Sequence, residues 1–316
     1  MACPHLHPPA HQTFLDFISA HDNSPAKIQA KYSEHRTGRN AQQHDAFLSP
    51  SFAGVTLEYY LKLTEASPSP YAPDGIPLDP RNSLVLWARP PEHIIQLASH
   101  IGAKLKETAP HLWVMPPHRM HLTTLEISHS KTPAYITEMV QPLRPHVSRL
   151  TNHTLTHRSR LVKPYISYDL SGVALSFLPA AGEPHLSPRP SPAGTQQTVE
   201  VQVVQGDAYT YHHLRHDLTT ILEDAGITIE PRYQVPSAHI TLARYLVQHD
   251  HATPAARKRW VAAIEEVNAW LEETVWDVAG GEFIGEWVLG QERGLDLRCG
   301  TVWYGGGRTI MTGEGF

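Results

Sequence analysis

The sequence has few cysteines, no long apolar run and no excess of positive charge. Its 316 residues include only Cys3 and Cys299, too few for a disulfide framework or a cysteine-based zinc site. Basic residues number 26 against 31 acidic ones, a net charge of −5, so we expect no general binding to nucleic-acid backbones. The N-terminal residues lack a basic segment followed by an apolar one. We therefore expect a cytoplasmic protein, with the nucleus as an alternative, that binds neither DNA nor membranes.

Hydrophobic residues make up 41% of the chain, enough to bury a core in one large or two modest domains. Residues 1–80 are predicted to form a helical extension that packs on this core, with helices over 14–20, 26–35 and 52–63. A stretch rich in proline and serine at 67–77 ends the extension. We expect this extension to have a structural role.

From residue 81 onward a β-α-β pattern occurs twice. The first copy, at about 81–150, has a strand over 83–89, an amphipathic helix and a strand over 120–127. The second, at about 196–316, has a strand over 199–204, a helix over 208–225 and a strand over 238–246. The remaining predicted elements are a helix over 133–147, a strand pair over 166–177, a mobile loop at about 179–195, a helix over 255–270 and strands over 283–289 and 299–304.

The last strand of each β-α-β unit carries the pattern His-x-Thr, as His121-Leu122-Thr123 and His239-Ile240-Thr241. The pattern alone is weak, since it occurs five times in the chain. Only these two copies have a large aliphatic central residue and lie in a predicted strand that follows a helix. Alternation along a strand places the histidine and threonine on one face. If the two repeats face each other, two imidazoles and two hydroxyls converge on one cleft.

This set of groups suits hydrolysis of a cyclic phosphodiester. One histidine can deprotonate the attacking water while the other protonates the departing alkoxide. Imidazole titrates near neutral pH and suits both roles, and the hydroxyls can donate to the phosphate oxygens. We therefore expect a bell-shaped pH profile, with no metal and no cofactor.

Two segments, residues 119–127 and 235–244, resemble the paired signatures of the 2H phosphoesterase superfamily. This superfamily includes the RNA ligase-like and cyclic nucleotide phosphodiesterases, and the chain is most similar to its fungal branch over about residues 81–316. The resemblance implies an α+β, bilobal fold in which two β-α-β repeats present concave antiparallel sheets to a central cleft. Thr124 departs from the pattern, because an aliphatic residue is common at that position.

The resemblance also implies metal-independent hydrolysis of 2′,3′-cyclic phosphates, carried by small nucleotides or by RNA 3′ ends. His121 and His239 would be the acid/base pair, and Thr123 and Thr241 would bind the phosphate. Neither the resemblance nor the residues decide which histidine is the base.

Six further residues are candidates for substrate contacts. Arg119 and Ser237 share strand parity with the motif histidines. Tyr211 and Arg215 are neighbours at the start of the second repeat's helix. The aromatic rings of Tyr168 and Tyr233 could stack on bases. The alternative for each is a structural role in the core or at a strand entrance. The candidates are Arg119, Ser237, Tyr168, Tyr211, Arg215 and Tyr233.

His212, His213 and His216 lack the carboxylate of a common metal-binding frame, so we expect no metal there. Two other hypotheses stay open. The two-histidine cleft could instead serve acid/base chemistry on a non-phosphate metabolite, or it could belong to a catalytically silent module that binds a nucleotide or RNA end. We expect a monomer.

Overall fold

The computed structural model describes residues 13–67, 69–73, 75, 78–187, 206–227, 229 and 236–315. In this part of the chain no helix is long and apolar enough to cross a membrane. The α-helices are α1 (Phe14–Ala20), α2 (Pro25–Leu48), α3 (Tyr59–Ala66), α4 (Glu92–Thr108), α5 (Pro133–Leu143), α6 (Val147–Thr156), α7 (Tyr211–Asp224) and α8 (Pro254–Thr274). The strands are β1 (Asn82–Ala88), β2 (Leu112–Val114), β3 (Leu122–Lys131), β4 (Ser159–Asp169), β5 (Gly172–Pro179), β6 (Ala238–Tyr245), β7 (Trp287–Leu289), β8 (Asp296–Gly300) and β9 (Arg308–Thr312).

The strands form one curled antiparallel sheet, so the protein is α+β, as predicted. The strand order is β7-β4-β5-β6-β3-β1-β8-β9, and β2 pairs with β6. The sequence predicted two facing sheets. In the structure the two groups of strands are instead halves of one sheet, because β3 and β6 pair where Leu122 meets Ile240.

Apolar periodicity predicted most of the elements. The five residues on the predicted face of α4 are all buried: Ile94, Leu97, Ala98, Ile101 and Leu105. The prediction at 52–63 was wrong in its first half, because Gly54 has a φ of 110° and the helix begins at Tyr59. Strand β9 was missed because it is mostly exposed and lacks an apolar face. The strand predicted at 199–204 and the loop beyond residue 187 lie outside the described residues.

The first two helices pack against α7. The ring of Phe17 stacks on His212 with centroids 4.0 Å apart, and the hydroxyl of Tyr32 lies 3.0 Å from His212 Nδ1. Burial lowers the pKa of His212 to about 2, so its ring is neutral. Helix α2 continues along β4 and β5. Residues 14–48 therefore contribute to the core around the sheet.

Asparagine side chains cover the open edge of β4. Ile166 donates its N–H to Asn268 Oδ1 at 2.6 Å, and its carbonyl accepts from the Nδ2 groups of Asn268 and Asn40 at 3.2 and 2.7 Å. These amides take the place of a neighbouring strand. Helices α2 and α8 are thereby tied to the sheet.

The polar residue Thr124 is the extra residue of a β-bulge. Leu86 pairs with Leu125, but the next residue of β1, Trp87, pairs with Thr123. Thr124 is left between the two pairs and is fully buried. The bulge explains the polar side chain that interrupts the aliphatic pattern of this strand.

Candidate active site

The two His-x-Thr segments lie side by side at the centre of the sheet. Leu122 and Ile240 form an antiparallel pair, and both are fully buried. His121 and Thr123 flank Leu122, and His239 and Thr241 flank Ile240. Neighbouring residues of a strand point to opposite faces, so Thr123, His239 and Thr241 lie on the face opposite to this buried pair. His121 precedes β3 but stacks on Trp87, the strand partner of Thr123, and so lies on the same face, here called the site face.

Access to the site face is uneven. Thr123 is exposed, His239 and Thr241 are half-buried, and His121 is only 8% exposed. His121 directly precedes β3 and follows a 3-10 turn that ends at Arg119. A ligand would therefore reach the site most directly over Thr123.

His121 is held in one orientation by its own chain and by a tryptophan. Its Nδ1 lies 2.8 Å from the carbonyl oxygen of Arg119. Because a carbonyl only accepts, Nδ1 carries the hydrogen and Nε2 keeps a lone pair. The imidazole stacks on Trp87 with centroids 3.8 Å apart and planes inclined by 20°.

The same surroundings keep His121 neutral. Burial lowers its pKa to about 3, and the charge of Arg89 adds to this, while the hydrogen bond to the Arg119 carbonyl opposes it. The charge of His239 also lowers this pKa, so the two imidazoles lie within electrostatic range of each other.

His239 has a serine as its hydrogen-bond partner. Its Nδ1 lies 3.0 Å from Ser237 Oγ, a group that can both donate and accept. Burial lowers the pKa of His239 to about 4; the charges of Arg244 and Arg215 act in the same direction, and Asp169 opposes them. Both motif histidines are therefore neutral at pH 7.

Two arginines next to Trp87 add positive charge beside His121. The guanidinium carbons of Arg89 and Arg298 lie 4.7 and 4.9 Å from the centroid of the Trp87 ring. Arg89 also donates to the carboxylate of Asp296 at 3.1 and 3.2 Å. Sequence reasoning missed this cluster, because the residues meet only through the pairing of β1 with β3 and β8.

The motif neighbours Arg119 and Ser237 have different outcomes. Ser237 contacts His239 as described, whereas the Arg119 side chain pairs with Glu65 of α3 at 2.7 Å. Arg119 was expected to face the cleft if its strand began that early, but β3 begins only at Leu122 and Arg119 ends a 3-10 turn. Only the carbonyl of Arg119 reaches the site.

Tyr168 lies on the face opposite the site. Its neighbour Ser167 pairs with Ala174, which pairs with Thr241 of β6, so Ser167 shares the site face and Tyr168 does not. Tyr168 is buried, with its ring 5.7 Å from that of Phe47.

Tyr211 and Arg215 lie close to the first motif but are buried. The hydroxyl of Tyr211 donates to the carbonyl oxygen of Thr123 at 3.3 Å. Arg215 is 5% exposed, and its guanidinium lies 4.4 Å from the ring centroid of Phe14. In this arrangement both support the site through packing. The sixth candidate, Tyr233, lies outside the described residues.

No protein-family model matches the chain, and no curated protein matches it at a significant level. The side chains of the site face are therefore the basis for assigning an activity. Two neutral imidazoles, one with a free Nε2 lone pair, stand next to two hydroxyls and a pair of arginines. This combination can exchange protons on both sides of a bound anion.

Proposed function

We propose that this protein is a metal-independent phosphodiesterase of the 2H type that hydrolyses 2′,3′-cyclic phosphates of nucleotides or RNA ends. We also propose that the two halves of its sheet correspond to the two lobes of a 2H fold. The main support is the antiparallel pair of Leu122 and Ile240. An antiparallel pair has local two-fold symmetry, and each of the two segments contributes one histidine and one threonine. An in-line displacement at phosphorus needs a base and an acid on opposite sides in this way.

His121 acts as the general base in this proposal. Its Nδ1 hydrogen is held by the Arg119 carbonyl, so Nε2 is free to accept a proton from water. A pKa of about 3 keeps the ring unprotonated before the reaction. The hydrogen bond to Arg119 stabilises the imidazolium that forms when water is deprotonated.

His239 acts as the general acid. Its imidazole is the more accessible of the two, because His239 is half-buried and His121 is only 8% exposed. Ser237 Oγ can accept from Nδ1–H of the imidazolium, which leaves Nε2–H to protonate the departing alkoxide. The negative charge of a bound phosphodiester raises the pKa of this histidine and favours the charged form.

The threonines and one arginine bind the phosphate. The hydroxyls of Thr123 and Thr241 donate to the non-bridging oxygens, where negative charge develops in the transition state. Arg298 lies half-buried next to Trp87 and supplies a positive charge near His121. The chain thereby offers anion binding without a metal ion.

The proposal is tested with the four nucleoside 2′,3′-cyclic monophosphates in the presence of EDTA. His121→Ala and His239→Ala should each lower turnover by about 10²- to 10⁴-fold, with circular dichroism spectra unchanged. His129→Ala, on the same strand but beyond the motif, is the matched control and should keep full activity. Full activity in either motif variant would refute the mechanism, and binding without turnover would favour the silent module.

A further inference from the structure

A second group of polar side chains lies outside both motifs. His153 lies in the last turn of α6, His157 directly follows that helix, and Asp217 lies in α7. One ring nitrogen of each histidine and one carboxylate oxygen all lie within 4.8 Å of one another. Among the described residues it is the only group of three potential metal ligands that meets this distance.

The distances are close to those of a tetrahedral zinc site. Zinc binds imidazole nitrogen and carboxylate oxygen at about 2.0–2.2 Å, so two ligand atoms of one ion lie about 3.3–3.6 Å apart. His153 Nε2 and Asp217 Oδ2 are 3.2 Å apart. The imidazoles of His153 and His157 are parallel, with centroids 4.2 Å apart. A ring nitrogen of His157 lies within 4.8 Å of the ligand atoms of both His153 and Asp217 and supplies the third ligand of the set.

A tyrosine orients the carboxylate. Tyr209 donates its hydroxyl to Asp217 Oδ2 at 2.8 Å and lies 3.2 Å from His153 Nε2. Metal-binding carboxylates are commonly held by such outer hydrogen bonds.

The donor set also fits the metal. Two imidazole nitrogens and one carboxylate oxygen are ligands typical of zinc, and each binds the ion in its unprotonated form.

We propose that His153, His157 and Asp217 bind one divalent transition-metal ion, Zn²⁺ by preference, with water in the fourth position. The ion would join α6 to α7, two helices separated in sequence by the β4–β5 hairpin. Its role is to stabilise this helix pair, and it takes no part in the reaction at His121 and His239. EDTA should therefore lower the thermal stability of the metal-loaded protein without lowering phosphodiesterase turnover.

The test is titration of Zn²⁺ into the full-length, metal-free protein, followed by calorimetry, with Co²⁺ as a spectroscopic probe. We expect one tight equivalent, visible Co²⁺ bands of a tetrahedral site, and a rise in Tm of a few degrees at about 100-fold excess over Kd. Asp217→Asn and His157→Gln should each weaken Zn²⁺ binding at least tenfold. Circular dichroism without metal would establish that both variants fold.

His111→Gln is the matched control. His111 pairs with Asp250 at 2.7 Å and has His249 nearby, with ring centroids 5.4 Å apart. The ligand atoms of these three residues do not all lie within 4.8 Å of one another. This variant should bind Zn²⁺ like the wild type. Equal affinity in the wild type, Asp217→Asn and His157→Gln would overturn the proposal, as would an equal loss in His111→Gln.

Discussion

The pH dependence of kcat/KM distinguishes the acid from the base. In the free protein the pKa of His121 is about 3 and that of His239 about 4. In the proposed mechanism turnover needs neutral His121 and protonated His239, and the protonated fraction of His239 falls tenfold per pH unit above its pKa. We therefore expect kcat/KM to fall about a hundredfold between pH 5 and pH 7. The decline in kcat should begin at higher pH, because bound phosphodiester raises the pKa of the acid.

The assay follows initial rates with a 2′,3′-cyclic nucleotide in EDTA at constant ionic strength, over a pH range in which circular dichroism shows the folded state. His239→Ala removes the titrating acid, so its residual kcat/KM should lose the decline between pH 5 and 7. His121→Ala should be slower at every pH but keep the decline. The control His129→Ala should match the wild type in rate and slope.

Three results would refute this reasoning. A kcat/KM that rises from pH 5 to pH 7 would mean that the titrating group acts as a base. A decline that persists in His239→Ala and disappears in His121→Ala would reverse the two roles. Identical slopes in the wild type and both variants would assign the titration to a different group.

Further predictions concern the neighbours of the motifs and the stability of the fold. Arg298→Gln should raise KM about tenfold with a smaller change in kcat, since it removes a charge that binds the ground-state anion; steady-state kinetics measures both. Ser237→Ala removes the hydrogen bond to His239 Nδ1 and should lower kcat by up to about tenfold. An unchanged Tm would show that the variant is folded. Tyr168→Phe should leave kcat and KM unchanged, because its ring lies on the opposite face; a changed KM would contradict that placement. Burial lowers the pKa of His251 to about 4, below its value of about 6.5 in the unfolded chain. As the pH falls from about 6.5 towards 4, the unfolded state therefore binds a proton before the folded state does, and the folded state loses stability. That loss is about 2 kcal/mol at pH 5, and His251→Phe should reduce the fall in Tm between pH 7 and pH 5.

Local patterns in the sequence determined much of the fold and half of the site. The apolar face of α4, the hairpin strands and the strand β6 follow from periodicity, because an amphipathic element has one face to bury whatever its partner is. Alternation likewise places His239 and Thr241 on one face of β6. His121 precedes β3, and it reaches the face of Thr123 by stacking on Trp87, the strand partner of Thr123.

The tertiary structure decided which residues surround those four groups. The pair of Leu122 and Ile240 joins segments more than a hundred residues apart, and no local pattern contains that register. The same applies to Trp87 beside His121 and to the positions of Arg119 and Tyr168, because where a strand begins and which face it buries depend on its neighbours. Burial, which lowers the pKa of both histidines, is a property of the packed chain, since desolvation comes from residues that are distant in sequence.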